Sequence, residues 1–320
     1  MARIVSLGSA LQDIYLIDRD DFISSPIKDI EIFGQIDVGS KVDIDKISFE
    51  IGGAGTNSAV EFARHGHQAI FLGSIGKDPA GSATVSVLNK ENIDTSYIEV
   101  LKNTQTGLSV ILLDSRSGER TILTHRGASA KFQSLSADSL DLIHPDWLYI
   151  SSLRGDFDTL TKFCQKAQSI GTKIMFNPGK LELENPSALR KLFQHLDIVL
   201  LNESEAAQIV PGVILTEKIS QLSNYVPIAI ISAGAQGAIA TNGTDTYRLG
   251  LYGSTNVKDT TGAGDAFGSG FLAHFAAGYS FRSSLIFASA NSASVISKLG
   301  AKKGLLTGSE ELHPMPIQKL

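Results

Sequence analysis

Val257-Lys258-Asp259-Thr260-Thr261-Gly262-Ala263-Gly264-Asp265-Ala266-Phe267-Gly268 is a polar, glycine-rich run that leads straight into Phe271-Leu272-Ala273-His274-Phe275. It reads as a loop feeding a helix. Gly262 and Gly264 permit positive φ and leave no Cβ in the way, so several N–H groups near the helix start can point at one anion. The helix N-terminus adds unpaired donors and the positive end of its dipole. Phe267, Phe271, Leu272 and Phe275 form a stripe that fixes the helix against a core. Asp265 has two local readings. One is a first-turn acid favoured by the dipole. The other is a carboxylate inside an anion cradle, able to accept the proton of an attacking hydroxyl while the cradle stabilises charge on a transferred phosphoryl group. Two other phosphate loops are excluded. No Lys follows the glycines as a P-loop requires, and Phe267 stands where the third glycine of a dinucleotide fingerprint would be.

Around this stretch, 320 residues at 42% hydrophobic are enough for one large domain, or for a domain with an insertion. The net charge of −5, with 28 scattered basic residues, offers no footprint for nucleic acid or an anionic membrane surface. The single cysteine, Cys164, excludes an intrachain disulfide and reads as a buried thiol on a helix. No signal-peptide core or membrane-length apolar run is found, so a cytoplasmic location is expected. His65 and His67 read as residues closing a helix rather than as metal ligands, since no third ligand is evident.

Arg3–Leu7 reads as a buried strand leaving through Gly8-Ser9, with Asp13 within reach of its end. Residues 30–36 and 41–51 alternate apolar and polar, as antiparallel strands with one wet face do. Gly52-Gly53-Ala54-Gly55-Thr56-Asn57-Ser58 reads as a second glycine-rich turn before a helix over 59–65. Residues 106–114 and 120–125 flank the turn 115–119 as a hairpin. Together the alternating segments, 14–50 and 98–126, predict a small separate sheet that covers a site as a lid. Beyond residue 135 the rhythm becomes βα, with apolar strands at 147–150, 173–176, 198–201 and 228–231. That pattern predicts a parallel sheet covered on both faces, with ligands outside the carboxyl ends of its strands. Asn177, Asn202 and Ser232 each follow such a strand.

Three separated motifs then converge. Gly52-Gly53-Ala54-Gly55-Thr56-Asn57-Ser58-Ala59, Asn202-Glu203-Ser204-Glu205 and Asp259 to Phe267 resemble, in this order along the chain, the motifs of the ribokinase (PfkB) family of carbohydrate kinases. The resemblance covers nearly the whole chain, 1–320. It implies an α/β fold, a ribokinase-like three-layer α/β/α architecture with a mainly parallel sheet and a small β-sheet lid. It also implies ATP-dependent phosphorylation of a hydroxyl of a sugar or, as the rival within the family, a nucleoside. On that resemblance Asp265 is the catalytic base, with the backbone of Gly262, Ala263, Gly264 and Asp265 as the anion hole. Asp13, Gly52, Gly53 and Asn57 bind substrate hydroxyls. Asn202 and Glu205 organise Mg²⁺ and its waters, and Ser232, Gly234 and Gly237 approach the nucleotide. Ser289 stands where many relatives carry an Asn or His near the adenine, and Ala54 where ribokinases proper often have Lys. Asp259 and Thr261 match positions that line a monovalent-cation (K⁺) site in some relatives. An apolar or aromatic lid face would favour a base, which Phe33 and Phe49 keep open, and a polar one a bare sugar. A non-catalytic sugar-binding protein on the same fold is a third reading, opposed by the retention of Asp265. The edges of a lid sheet also make pairing with a second copy, a homodimer, an expectation.

Overall fold

The computed structural model describes residues 1–18, 39, 41, 43–44, 46–114, 120–253 and 256–320. Its strands are β1 (Arg3–Leu7), β2 (Leu11–Asp18), β3 (Lys46–Gly52), β4 (Gln68–Leu72), β5 (Ser74–Gly76), β6 (Glu99–Leu101), β7 (Gly107–Asp114), β8 (Arg120–His125) and β9 (Trp147–Ser151). They continue as β10 (Lys173–Asn177), β11 (Ile198–Asn202), β12 (Ile228–Ser232), β13 (Ala238–Thr241), β14 (Thr246–Leu249) and β15 (Ile317–Lys319). The main sheet runs β15-β14-β13-β12-β11-β10-β9-β1-β4. From β4 to β12 every pairing is parallel, and the last three strands add on antiparallel.

The apolar strand runs behave as a doubly covered sheet requires. Neighbours in β1 divide between two cores: Val5 packs with Phe163 and Phe176 on one face, and Ile4 with Phe62, Tyr149 and Phe271 on the other. Cys164 is free and buried in the first core, inside the helix Phe157–Ser169. The helices Ala54–Arg64, Ala263–Ala276 and Phe281–Ile296 contribute to the second. Among the described residues, no helix is long and apolar enough to cross a membrane.

The small sheet has the order β3-β2-β7-β8. It differs from the expected antiparallel arrangement at its centre, where β2 and β7 pair in parallel; the outer pairs are antiparallel. A parallel central pair follows from the long excursion through the main body that separates the two strands. The described lid strands occupy 11–18, 46–52, 107–114 and 120–125. Glu99–Leu101 pairs instead with Ser74–Gly76. The expected strand at 30–36 and the hairpin turn at 115–119 lie outside the described residues.

Two starting points shift from the expected ones. The helix expected from residue 59 begins at Ala54, capped by Gly53 at φ 97°, so Gly55 to Ser58 are helical and not a turn. Close packing explains the glycine at 55, because a Cβ there would lie 2.7 Å from the carbonyl carbon of Gly8. Likewise Gly262, at φ 78°, is the last loop residue, and Gly264 and Asp265 belong to the first turn of Ala263–Ala276.

Candidate active site

β1 runs through Gly8 and Ser9 into β2, and β3 runs through Gly53 into the helix Ala54–Arg64, so the lid joins the main sheet at the carboxyl end of β1. A cleft of about 530 Å³ lies there, and Asp13, Asn57, Ser109, Thr261, Gly262 and Asp265 all line it. It brings the two glycine-rich motifs together across more than 200 residues of chain: Asn57 Nδ2 donates to Asp265 Oδ2 at 2.9 Å.

The cradle has definite geometry. At Gly262 a Cβ would lie 2.4 Å from the Ala301 Cβ, whereas a Cβ at Gly264 would meet nothing within 4 Å. Space is therefore open where a ligand oxygen would approach. Ala266 N–H bonds to Gly262 O at 2.8 Å and Ala263 N–H turns back to Thr260 O at 3.3 Å. The N–H groups of Gly264 and Asp265, in the first turn, have no acceptor within the helix. The Ala263 N–H is thus partly engaged, and the sharpest donors of the cradle are those of 264 and 265.

Burial raises the Asp265 carboxyl above its ordinary range, while the Asn57 hydrogen bond and the charge of Lys302 pull it down. Lys302 was not among the residues singled out from the sequence. Its ammonium donates to Asn57 Oδ1, to the Ile51 carbonyl and, at 3.1 Å, to Thr56 Oγ1. Burial lowers Lys302 to about 8, against the opposing charges of Asp13 and Asp265. The amide of Asn57 is consequently held at both ends, accepting from Lys302 and donating to Asp265. Its only sequence signal was a lysine directly after Gly300-Ala301, next to a second lysine that instead pairs with Glu50 at 2.5 Å.

Asp13 sits within β2 and is buried. Desolvation pushes its carboxyl up to about 6, against the lowering effects of Lys302 and a hydrogen bond from Ser109. Gly52 does not line the cleft. It makes room for Asp13, because a Cβ there would stand 1.9 Å from Asp13 Oδ2. Gly53 does line the cleft.

Asp259 is almost wholly buried, at 1% exposure. It accepts from Thr261 N at 2.9 Å, Gly300 N at 3.0 Å and Tyr15 Oη at 3.3 Å. Arg120, from lid strand β8, brings its Nε to 3.9 Å from Asp259 Oδ1 and donates to Thr260 Oγ1. The buried Thr261 hydroxyl lacks a partner among the described residues. A carboxylate beside an orphaned hydroxyl is an oxygen donor set that a monovalent cation fits, and Arg120 supplies one positive charge there already.

After β11, Asn202 and Glu205 form a reciprocal cap at the helix Glu203–Ile209. Asn202 Oδ1 accepts from Glu205 N at 2.9 Å, and Glu205 Oε2 from Asn202 N at 2.8 Å. Burial and nearby Glu182 raise Glu205, whose Asn202 hydrogen bond lowers it. Ser232 ends β12, and Gly234 and Gly237, at φ 51° and 80°, make the turn into β13. Gly237 is required by that turn itself, since a Cβ would lie 2.0 Å from Leu249 O. A second cavity, of about 580 Å³, is lined by Tyr252, Asn256, Ala290, Ser294 and His313. Ser289 is not on it: its hydroxyl bonds back to Leu285 O at 3.0 Å, and the next residue, Ala290, takes the lining position. Asn291 is structural, tying Ala266 O and Leu306 N at 2.8 Å each.

Of the two histidines read as closing a helix, His65 is the C-cap of the helix Ala54–Arg64 and half-buried, and His67 is buried. His67 accepts from Ala2 N at 3.1 Å, contacts Ala273 O at 2.8 Å and stacks on His65. Among the described residues, no group of three His, Cys, Asp or Glu side chains is arranged to hold a metal ion.

Comparison with known proteins shows the family. The family profile described as pfkB family carbohydrate kinase matches residues 1–307. The chain belongs to that family. It is therefore a carbohydrate-kinase-type phosphotransferase, and both glycine-rich motifs fall inside the matched residues. It is 27% identical over 272 residues to a ribokinase of Haemophilus influenzae, covering 82% of this chain and 86% of the relative. The structure of Arabidopsis thaliana ribokinase complexed with ribose and ATP superposes with a TM-score of 0.79 at 21% identity, covering 95% of each chain. Adenosine kinase from Sinorhizobium meliloti superposes with a TM-score of 0.79 at 19% identity, over 96% of this chain and 98% of that one. These two structural likenesses establish the ribokinase fold.

Proposed function

We propose that this pfkB-family member transfers the γ-phosphoryl group of MgATP to a hydroxyl of a sugar, with Asp265 as general base. The observation that carries the reading is the position of the Asp265 carboxylate, held by Asn57 in the same cleft as Asp13 and in the same first helical turn as the open N–H groups of residues 264 and 265. Asp13 and Asn57 offer the paired acceptor and donor that vicinal hydroxyls need. Asp265 takes the proton of the attacking hydroxyl, while the cradle stabilises charge on the equatorial oxygens of the transferred group. Mg²⁺ neutralises charge on the nucleotide phosphates, and it needs few protein ligands in such sites. Glu205, raised by burial and by Glu182 and using only Oε2 in its cap, would hold it through water together with Asn202. Ser232, Gly234 and Gly237 would border the nucleotide, and Asp259 with Thr261 would hold a monovalent cation such as K⁺.

The lid strands bring apolar Leu11, Ile111 and Ile122 to the cleft beside polar Asp13, Ser109 and Thr124, and a sugar is favoured over a nucleoside because no aromatic side chain lines the cleft among the described residues to stack on a base. Phe49 is in register with Ile14, one residue out of phase with Asp13, and is 64% exposed on the other face of the lid; Phe33 lies outside the described residues. That outer face also presents Ile47 and Leu123, each more than half exposed, which supports pairing of the lid with a second copy. ADP release from MgATP across a panel of sugars and nucleosides tests the proposal. Turnover of a sugar is expected; tight binding of one acceptor with no turnover of any would leave a binding protein instead.

A further inference from the structure

The cleft carries positive charge that the reaction described above does not use. Arg126, Arg154 and Lys180 line it alongside Asp13 and Asp265. Among the described residues, none of the three is in an ion pair. All three are exposed side chains; partial desolvation and the like charge of Arg154 lower Arg126, with Asp13 opposing. Asp13 itself is already answered by Lys302.

The loops that deliver these groups are built, not loose. Glu182 is fully buried, and its carboxylate ties the segment after β9 to the segment after β10. It accepts from Gly155 N at 2.9 Å, Gly179 N at 3.0 Å and Ser152 Oγ at 2.8 Å. The Glu182 carboxylate is thereby spent on backbone and hydroxyl donors, and Asp156, two residues after Arg154, is spent on Thr159 at the next helix start. Arg154 adopts φ 59° and is followed by Gly155 at φ 76°, while Arg154 N donates to Ser152 Oγ at 3.1 Å. A side chain held at positive φ persists when its surroundings over-determine it, and such positions cluster at ligand clamps. Arg126 arrives directly after lid strand β8. Two guanidinium groups on one cleft, neither ion-paired among the described residues, form a field that concentrates anions and a geometry suited to carboxylate or phosphate oxygens. The nucleotide phosphates are accounted for elsewhere, at the 262–265 cradle and the end of β11, whereas Arg126 belongs to the lid, on the acceptor's side.

We infer that the acceptor carries an anionic group, a carboxylate or a phosphate, in addition to the hydroxyl that is phosphorylated, and that Arg126 and Arg154 hold it with Lys180 beside them. This rests on the sugar-kinase reading above and narrows its substrate class. The clamp is separate from the base and the 262–265 cradle, so its effect would fall on acceptor binding.

The test is a three-armed acceptor panel with MgATP and the full chain: neutral pentoses and hexoses, the corresponding sugar acids, and the corresponding sugar monophosphates. The expected result is that one anionic arm is preferred in kcat/KM over its neutral counterpart by about tenfold to a hundredfold, the range of a charge-assisted contact. Which arm wins identifies the group as carboxylate or phosphate. Arg126→Gln and Arg154→Gln should raise KM for that acceptor by a similar factor and leave KM for MgATP within about twofold. A neutral sugar or a nucleoside as the best acceptor, with KM unchanged in both variants, overturns the inference. So does a rise in KM for MgATP alone, which would place the arginines on the nucleotide. If no acceptor is turned over, the phosphotransfer reading fails, and calorimetric binding of the same panel decides the clamp separately. Preferential binding of anionic sugars, lost in the double variant, supports it, and equal binding of neutral and anionic sugars overturns it.

Discussion

At the scale of single residues, the proposed chemistry rests on a relay of hydrogen bonds that fixes one carboxylate. Lys302 donates to Asn57, and Asn57 donates to Asp265. An asparagine amide not held at its oxygen can flip and present the wrong end to an acid; here the ammonium selects the orientation. Lys302 also lowers the Asp265 carboxyl against the raising effect of burial. With Lys302 removed, the Asp265 carboxyl rises further and its basic form is reached only at higher pH. Lys302→Met should therefore move the acid limb of the pH profile of kcat/KM upward, with a fall in rate at neutral pH that partly recovers in alkali. A rate lowered equally at all pH values would show that Lys302 acts only on folding. Lys302 was not legible in the sequence because its role arises entirely from a contact made 245 residues away. Asp265 and Asn57 were legible because each lies inside a local backbone pattern with a physical purpose.

At the scale of elements, both glycine-rich segments turn out to be helix starts whose glycines serve close packing as much as ligands. Gly262 combines positive φ with a 2.4 Å approach of its missing Cβ to Ala301, so it can be replaced neither conformationally nor sterically. Gly262→Ala should cost about 1–3 kcal/mol of stability, the range for strain at such a position. Thermal or denaturant unfolding measures this, and an unchanged midpoint would mean that the loop relaxes freely. Gly264, which faces open space, is the contrasting control. The buried parallel strands were readable as continuous apolar runs. β13, β14 and β15 were not, since runs of three or four residues joined by turns carry too little periodicity. The start at Ala54 was misplaced for a related reason: Gly55, a poor helix former, is selected there by the approach of Gly8, which only the tertiary structure reveals.

At the scale of the molecule, the site exists only where lid and main sheet meet. β2 supplies Asp13, the helix after β3 supplies Asn57, and the C-terminal part of the chain supplies the cradle and Lys302. The order of motifs along the chain was enough to expect the fold and the reaction. The lid's contribution was not, because its alternating strands reveal a wet face without telling which face meets the ligand. In the structure the outer face carries Ile47, Phe49 and Leu123. If that face pairs with a second copy, light scattering should give twice the chain mass, and Phe49→Glu should lower it to that of one chain; a monomeric wild-type protein would contradict the pairing. The most direct test of the central claim is the turnover of Asp265→Asn with the preferred sugar acceptor and MgATP. Loss of the base predicts a fall in kcat of at least about a thousandfold, with modest change in either KM and a melting temperature close to that of the parent. A variant that turns over at the parent's rate would remove Asp265 from the mechanism, and with it the reading of this cleft as a site of base-assisted phosphoryl transfer.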